Sequence, residues 1–414
     1  MIVRYIYSAC IVIETEEIRI CCDPWFTQGI YYGAWYQYPQ IDDPIGAIGD
    51  IDFVYISHIH PDHYDPPFLQ ALLKANPRCR LVIGDTNQKF LNAKMRRDGF
   101  VPEAVSVLRV GTTQLAIIPN KTDSDVSIDS ALAVRDDEHV VVNMNDCEFD
   151  QIQVNRIKEF CGRNPDLACL PYAGAGPYPQ AYIFRDETER QDASELKKQQ
   201  FLELFEEYLS CFQPRFALPF AGLYYLGGTL RSMNSHRGIP DAVELPRLYG
   251  TKVVVLQEGH GHIDLRTGEI QHPRVDPYDS VARDEFLRQF DEIPYPFAVR
   301  NEVDNRDLVK KLEHAHVKTC ARLSDLPPGW ICFKVPDSHY LCVESQHPGR
   351  VLVCASVDEL SPREEIHLDS RLLDGLLDGH FHWNNAEIGS HFRFRREPES
   401  YDRRVYDLLN FLHV

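Results

Sequence analysis

One ten-residue stretch constrains this chain more than any other: Ile56-Ser57-His58-Ile59-His60-Pro61-Asp62-His63-Tyr64-Asp65. It packs three histidines and two carboxylates into the eight positions from His58 to Asp65. It follows Ile51-Asp52-Phe53-Val54-Tyr55-Ile56, an apolar run that reads as a buried strand. Pro61 and the pair Pro66-Pro67 stop a helix from running through the cluster, so its side chains fan out from a strand end and a loop. A His-x-His pair leaving a strand can aim two imidazoles at one ion, and Asp62 and His63 can turn to a second ion nearby. Zinc and iron accept both imidazole and carboxylate. The bland alternative is a solvated loop with histidines by chance, which three histidines in six residues at a strand end disfavour.

The rest of the chain reads as alternating strands and helices. Ile2–Tyr7, Cys10–Glu14 and Ile18–Cys22 form a meander that ends at Asp23-Pro24-Trp25. Asp23 follows a strand directly, which places it near the metal loop in one reading; the simpler reading is a turn former before proline. Helices are expected over Pro67–Ala75 and Gln88–Gly99, with a strand at Arg80–Gly84 between them. A hairpin over 105–118 and strands at 128–134 and 139–145 follow. The last of these ends at Asp146, well placed to bridge two ions held by the histidine loop. A helix over Ala193–Cys211 would bury Leu196, Phe201, Leu204, Phe205 and Leu209. Strands are expected at Arg215–Pro219 and Val253–Leu256.

Residues 25–40 carry seven aromatics with glycines and no charge. Such a segment either walls a pocket or packs as an aromatic plug. In the pocket reading, Trp25, Tyr32 and Trp35, with Tyr172 from the glycine-rich segment 172–179, line the substrate site. The Pro- and Asp-rich stretch 271–283 marks a boundary. It divides a first domain, 1–270, from a smaller C-terminal α+β domain, 284–414, that would cap the site or mediate oligomerisation. Within the latter, Gly379-His380-Phe381-His382-Trp383-Asn384-Asn385 has histidines but no nearby acid, and reads as a packed aromatic cluster.

A net charge of −19 disfavours binding to a nucleic-acid backbone. The twelve cysteines contain no C-x-x-C pair and sit mostly in apolar runs, as free thiols of a reducing cytoplasm do. No apolar run reaches membrane-spanning length. The expected partner is a small-molecule substrate, and a homo-oligomer is compatible with the sequence.

His58-x-His60-x-Asp62-His63 after a strand, followed by a strand-end Asp146, resembles the metallo-β-lactamase superfamily over about residues 1–265. Ser8-Ala9-Cys10, Asp23-Pro24-Trp25, Ile128-Asp129-Ser130-Ala131, Asn143-Met144-Asn145-Asp146-Cys147 and Leu218-Pro219-Phe220-Ala221-Gly222 are similar to one branch. It holds the ascorbate-phosphate lactonase, N-acyl-phosphatidylethanolamine phospholipase D and CMP-N-acetylneuraminate hydroxylase families, and the hydroxylase's β-lactamase-like region is nearest, without its Rieske domain. The resemblance implies an αββα sandwich with one or two divalent ions (zinc, or iron or manganese) at a sheet edge. It implies His58 and His60 on the first ion, Asp62 and His63 on the second, and Asp146 bridging. A water between two cations becomes a nucleophile near neutral pH, and Asp62 would orient it as the catalytic residue.

Two places depart from the family pattern. Where a third histidine is usual for the first ion, the chain reads Asn120-Lys121-Thr122-Asp123-Ser124-Asp125. Asp123 or Asp125 would then substitute and harden the site toward iron or manganese. Where a last histidine is usual for the second ion, the chain has Phe220, leaving His236, His260 or His262 to reach in. The expectations are therefore a metal-dependent hydrolase of a small anionic or sugar-like substrate, an iron-dependent oxygenase related to the hydroxylase, or a degenerate binding module without catalysis.

Overall fold

The computed structural model describes residues 1–85, 89–120, 128–336 and 339–414. Two sheets form the first architecture. One runs Glu269–Gln271, His262–Asp264, Ile2–Tyr7, Cys10–Glu14, Arg19–Cys22, Phe53–Tyr55, Arg80–Gly84 and Glu103–Val105 in spatial order. The other runs Phe216–Phe220, Leu167–Pro171, Val140–Asn143, Ser130–Arg135, Thr113–Pro119 and Val107–Val110.

Strict alternation along the strands builds four layers. Val3, Ile11 and Ile13 face Leu115, Ile117, Leu132, Val134 and Val141 between the sheets. The residues between them point outward. Cys10, Val12, Val54 and Ile83 meet Phe68, Leu69, Leu72 and Met95 of the helices Pro66–Ala75 and Phe90–Arg97. Ala116, Ala133, Val142 and Leu170 meet Val154, Ile157, Phe205 and Leu209 of the helices Gln151–Cys161 and Glu187–Phe212. The α/β class and the αββα order are those expected from the sequence.

Two local expectations fail. Val253–Leu256 alternates in burial, with Val253 and Val255 toward the helices and Val254 and Leu256 between the sheets. It nevertheless makes only one bridge to the edge strand, at Ala217, so it has the side-chain pattern of a strand without the ladder. Leu196 is 59% exposed: it lies off the side of the helix Glu187–Phe212 that buries Ala193, Ser194, Phe205, Tyr208, Leu209 and Phe212. The polar loop 227–240 contains a 3-10 helix, Gly228–His236.

A third sheet, of five strands, comes from later sequence: Val351–Cys354, Tyr340–Glu344, Trp330–Lys334, Arg363–His367 and Arg393–Glu397. Helices Asn305–Arg322, Ser370–Leu377 and Arg403–Phe411 cover it through Leu308, Leu312, Leu372, Leu376 and Leu408. Its edge strand pairs with the earlier segment 181–183. Ile183 N–H donates to the Phe394 carbonyl (2.8 Å), and Phe394 N–H donates to Ala181 (3.0 Å). Ala181 and Tyr182 are buried in the same core as the C-terminal leucines. No helix among the described residues is long and apolar enough to cross a membrane.

Candidate metal centre

The histidine loop leaves the central strand Phe53–Tyr55, which pairs in parallel with Arg19–Cys22 on one side and Arg80–Gly84 on the other. Parallel neighbours end on the same side, so Asp23, just past Arg19–Cys22, arrives beside Ser57. The turn is left-handed at Asp23 (φ 43°). Its wholly buried carboxylate accepts from Ser57 N–H (2.7 Å), Ser57 Oγ (2.7 Å) and His63 Nδ1 (3.0 Å). Asp23 is thus an orienting group behind the histidines, not the simple turn former expected. Asp65 has a different task. It caps the helix Pro66–Ala75 through Phe68 N–H (3.2 Å) and accepts from Phe26 and Thr27 N–H (2.9 and 2.7 Å).

The second sheet brings its own carboxylates to the same edge. Asp129 precedes Ser130–Arg135, and Asp146 follows Val140–Asn143. Asn145, left-handed at φ 50°, donates from Nδ2 to the Ser130 carbonyl (3.2 Å), which fixes the turn that delivers Asp146. Ser130 Oγ donates to the Ser57 carbonyl (2.9 Å) and meets Tyr55 Oη (2.8 Å), tying the two sheet ends together.

The donors converge. His58 Nε2 lies 3.0 Å from His60 Nδ1, and His58 Nδ1 lies 3.4 Å from Asp129 Oδ1. His63 Nε2 lies 3.2 Å from Asp146 Oδ2 and 3.5 Å from Asp62 Oδ2. Two groups, His58–His60–Asp129 and His58–His63–Asp146, each place ligand atoms within 4.8 Å of one another. Two ligands on one ion at bonds of about 2.1 Å sit roughly 3.0–3.4 Å apart, so the His58 Nε2–His60 Nδ1 and His63 Nε2–Asp146 Oδ2 spacings fit metal ligation, while Asp129 Oδ1 faces the other ring nitrogen of His58. His63 Nε2 is buried, and the groups that face it are the carboxylates of Asp146 and Asp62.

The electrostatics point the same way. Burial disfavours a charged His63, yet Asp146, Asp62 and Asp23 outweigh it and hold its pKa well above the ordinary value. Burial, then His63 and His60, push His58 well below. Burial, with Asp146 adding, raises Asp129 to about 7. Buried imidazoles inside a ring of carboxylates make a negative field that a cation satisfies.

The remaining expected residues divide. Asp123 and Asp125 lie outside the described residues. Asp129 is the carboxylate the sequence reasoning missed as a donor, although the segment Ile128–Ala131 was singled out. His236 faces Glu187 at 3.5 Å, and His260 lies against His272; among the described residues neither joins a donor group, because the 3-10 helix and the turn at Gly259 carry them elsewhere. Phe220 is buried between the sheets. Trp25 and Trp35 are 2% and 1% exposed and pack with Tyr7, Tyr31 and Tyr224. They are the aromatic plug rather than pocket walls, because seven aromatics without charge bury more favourably than they line water. Tyr172 lines a separate cavity of about 320 Å³ with Tyr224, Arg237 and Arg274. Tyr32 is half-buried, and its hydroxyl accepts the His382 N–H (2.7 Å).

The C-terminal part reaches the centre directly. Asn384 Oδ1 lies 2.8 Å from His60 Nε2. A cavity of about 740 Å³ opens beside Asn384, lined by Tyr178, Tyr182 and Lys197 from the earlier sequence and by Arg396 and Tyr406 from the later.

Residues 2–169 match the beta-lactamase superfamily domain. This part of the chain is a domain of the metallo-β-lactamase superfamily. The chain is 28% identical over 267 residues to a Mycolicibacterium smegmatis protein named as a putative Rieske 2Fe-2S iron-sulfur protein, covering 61% of this chain and 49% of that one. It is 26% identical over 232 residues to the cytidine monophosphate-N-acetylneuraminic acid hydroxylase of Danio rerio, covering 53% and 38%. The chain thus spans about half the length, or less, of these curated relatives. Among solved structures, an isothiocyanate hydrolase from Delia radicum gut bacteria aligns with TM-score 0.44 at 13% identity, over 64% of this chain and 99% of that one.

Proposed function

We propose that this metallo-β-lactamase domain is a metal-dependent hydrolase acting on a small anionic or sugar-like substrate. The observation that carries this reading is the convergence of three imidazoles and three carboxylates at spacings of 3.0–3.5 Å. In it, His58, His60 and Asp129 hold one divalent ion, and Asp62, His63 and Asp146 hold the second. Bound ions would acidify a water and stabilise negative charge developing on the substrate. The chain's own residues do the rest. Asp23 accepts the Nδ1 proton of His63 and so turns Nε2 toward Asp62 and Asp146. The Tyr31 hydroxyl donates to Asp62 Oδ1, which orients that carboxylate to take a proton from water. The cavity beside Asn384 offers tyrosine hydroxyls and ring faces to a polar ring, and Lys197 and Arg396 to an anion. In this reading the C-terminal domain, 284–414, caps the centre and forms one wall of the substrate cleft.

A second reading, an iron-dependent oxygenase, draws support from the carboxylate-rich donor set, which suits iron or manganese better than an all-histidine first site would. The relatives named for a hydroxylase and for a Rieske centre support it too. Metal analysis of the chain purified without added metal separates the readings. Two equivalents of zinc with turnover of ester, lactone or phosphodiester probes under anaerobic conditions support hydrolysis. Iron with a visible absorption band and oxygen consumption supports the second reading. Absence of any metal, with His58→Ala/His60→Ala indistinguishable from the native chain, would overturn both.

A further inference from the structure

His60 has two ring nitrogens with different surroundings. Nδ1 faces His58 Nε2 at 3.0 Å, and Nε2 faces Asn384 Oδ1 at 2.8 Å, across 324 residues of sequence. We infer that Asn384 is a positioning residue of the metal centre: it fixes the tautomer of His60 from outside the superfamily domain, so the centre is assembled by both parts of the chain.

The argument begins with what a neutral imidazole can do. It carries one ring proton, and the nitrogen that carries it cannot bind an ion. An amide oxygen only accepts, so the nitrogen facing Asn384 Oδ1 must hold the proton. Nδ1 is then bare and aimed at the cluster. In this orientation the amide Nδ2 donates to Tyr406 Oη (2.9 Å), so both polar atoms of Asn384 have a partner. Its backbone is fixed as well. Trp383, the preceding residue, is buried against Phe333 and Phe392 and donates from Nε1 to the Leu412 carbonyl (2.8 Å). The helix Trp383–Ile388 therefore carries Asn384 on a rigid mount.

The facing side is fixed too. Tyr31 and Tyr32 both adopt left-handed backbone (φ 51° and 60°), a conformation that costs bulky residues. That turn lets Tyr32 Oη accept the His382 N–H (2.7 Å) and the Tyr31 carbonyl accept from His391 Nε2 (2.8 Å), while the Tyr31 hydroxyl reaches Asp62. The segment thus links a carboxylate of the centre to the same C-terminal region that holds His60.

This inference rests on the metal-centre reading, and the test separates the two. Cobalt(II) is titrated into the full metal-free chain and its affinity read from the visible ligand-field bands. Asn384→Leu is expected to weaken binding about 10- to 100-fold. Asn384→Asp, which keeps an acceptor toward Nε2, should stay within about threefold of the native chain. Tyr406→Phe, which frees the amide while keeping the ring, should fall between. Nitrogen-15 spectra of the histidine rings in the metal-free chain should show the Nε2–H form at His60 in the native protein and a mixture in Asn384→Leu. Affinity of Asn384→Leu within twofold of native, or Asn384→Asp as weak as Asn384→Leu, overturns the inference. If Asn384→Leu fails to fold, Tyr406→Phe decides, and native affinity in that variant overturns it. If the native chain itself takes up no cobalt, the metal-centre reading fails instead.

Discussion

Two histidine-bearing segments of this chain look alike on paper and end in different roles. His58–Asp65 has three histidines among aspartates; Gly379–Asn385 has two among aromatics. The first sits at the end of a central parallel strand, where neighbouring strands from both sheets deliver Asp23, Asp129 and Asp146. The second sits at the start of a short helix, with His380 and His382 exposed and Phe381 and Trp383 buried. No donor group among the described residues includes His380 or His382. What the second segment gives the first is an amide and a backbone N–H. The difference teaches that surroundings set by topology separate two similar segments: the first pair is ringed by carboxylates, and the second is built into an aromatic core.

The sharpest way to break the comparison is to remove the pairs in turn. His58→Ala/His60→Ala should abolish tight metal uptake, a drop of at least about a thousandfold, whereas His380→Ala/His382→Ala should leave it within about twofold. Equal losses in both, read by metal content after dialysis, would mean that the two segments are one site. A smaller effect is expected from the orienting carboxylate. Asp23→Asn removes the acceptor behind His63, and should weaken metal binding about 10- to 100-fold without removing a ligand. An unchanged titration curve would reduce Asp23 to a packing role.

The smallest effect concerns Glu387, one turn beyond Asn384 on the same helix. Burial, with Glu364 adding, raises it from 4.5 to about 7. A carboxyl raised in the folded state binds its proton more tightly there than in the unfolded chain. Its contribution is therefore fully present below about pH 4.5 and is lost as pH rises to about 7. Glu387→Gln should match the native chain near pH 5 and exceed its stability at pH 8 by on the order of 2 kcal/mol. Denaturant melts at the two pH values check this, and a difference independent of pH would contradict it.

Much of the sandwich was legible because alternation is a local signal. Cys10-Ile11-Val12-Ile13 states in four residues which side chains face which layer. The loop His58–His63 was legible for the same reason, since its donors are neighbours in sequence. Asp129 and Asp23 were harder. Each is one aspartate beside a strand, a position common for turns, and nothing near it in sequence says what lies across the sheet edge. The aromatic segment 25–40 gave its composition but not its direction. Only the left-handed turn at Tyr31 and Tyr32 decided that it packs inward and reaches the C-terminal region.

The sequence by itself determined the layers, the strand carrying the histidines and the presence of Asp146 at a strand end. These follow from periodicity and from covalent neighbourhood, which the chain carries wherever it folds. The tertiary structure alone decided that Asp129 comes within 3.4 Å of His58, that Asp23 lies 3.0 Å behind His63, and that Asn384 lies 2.8 Å from His60. Each of those is a contact between side chains brought together by the order of strands and the docking of one helix, and hydrogen bonding at 3 Å leaves no trace in the spacing of residues 34, 40 or 324 positions apart.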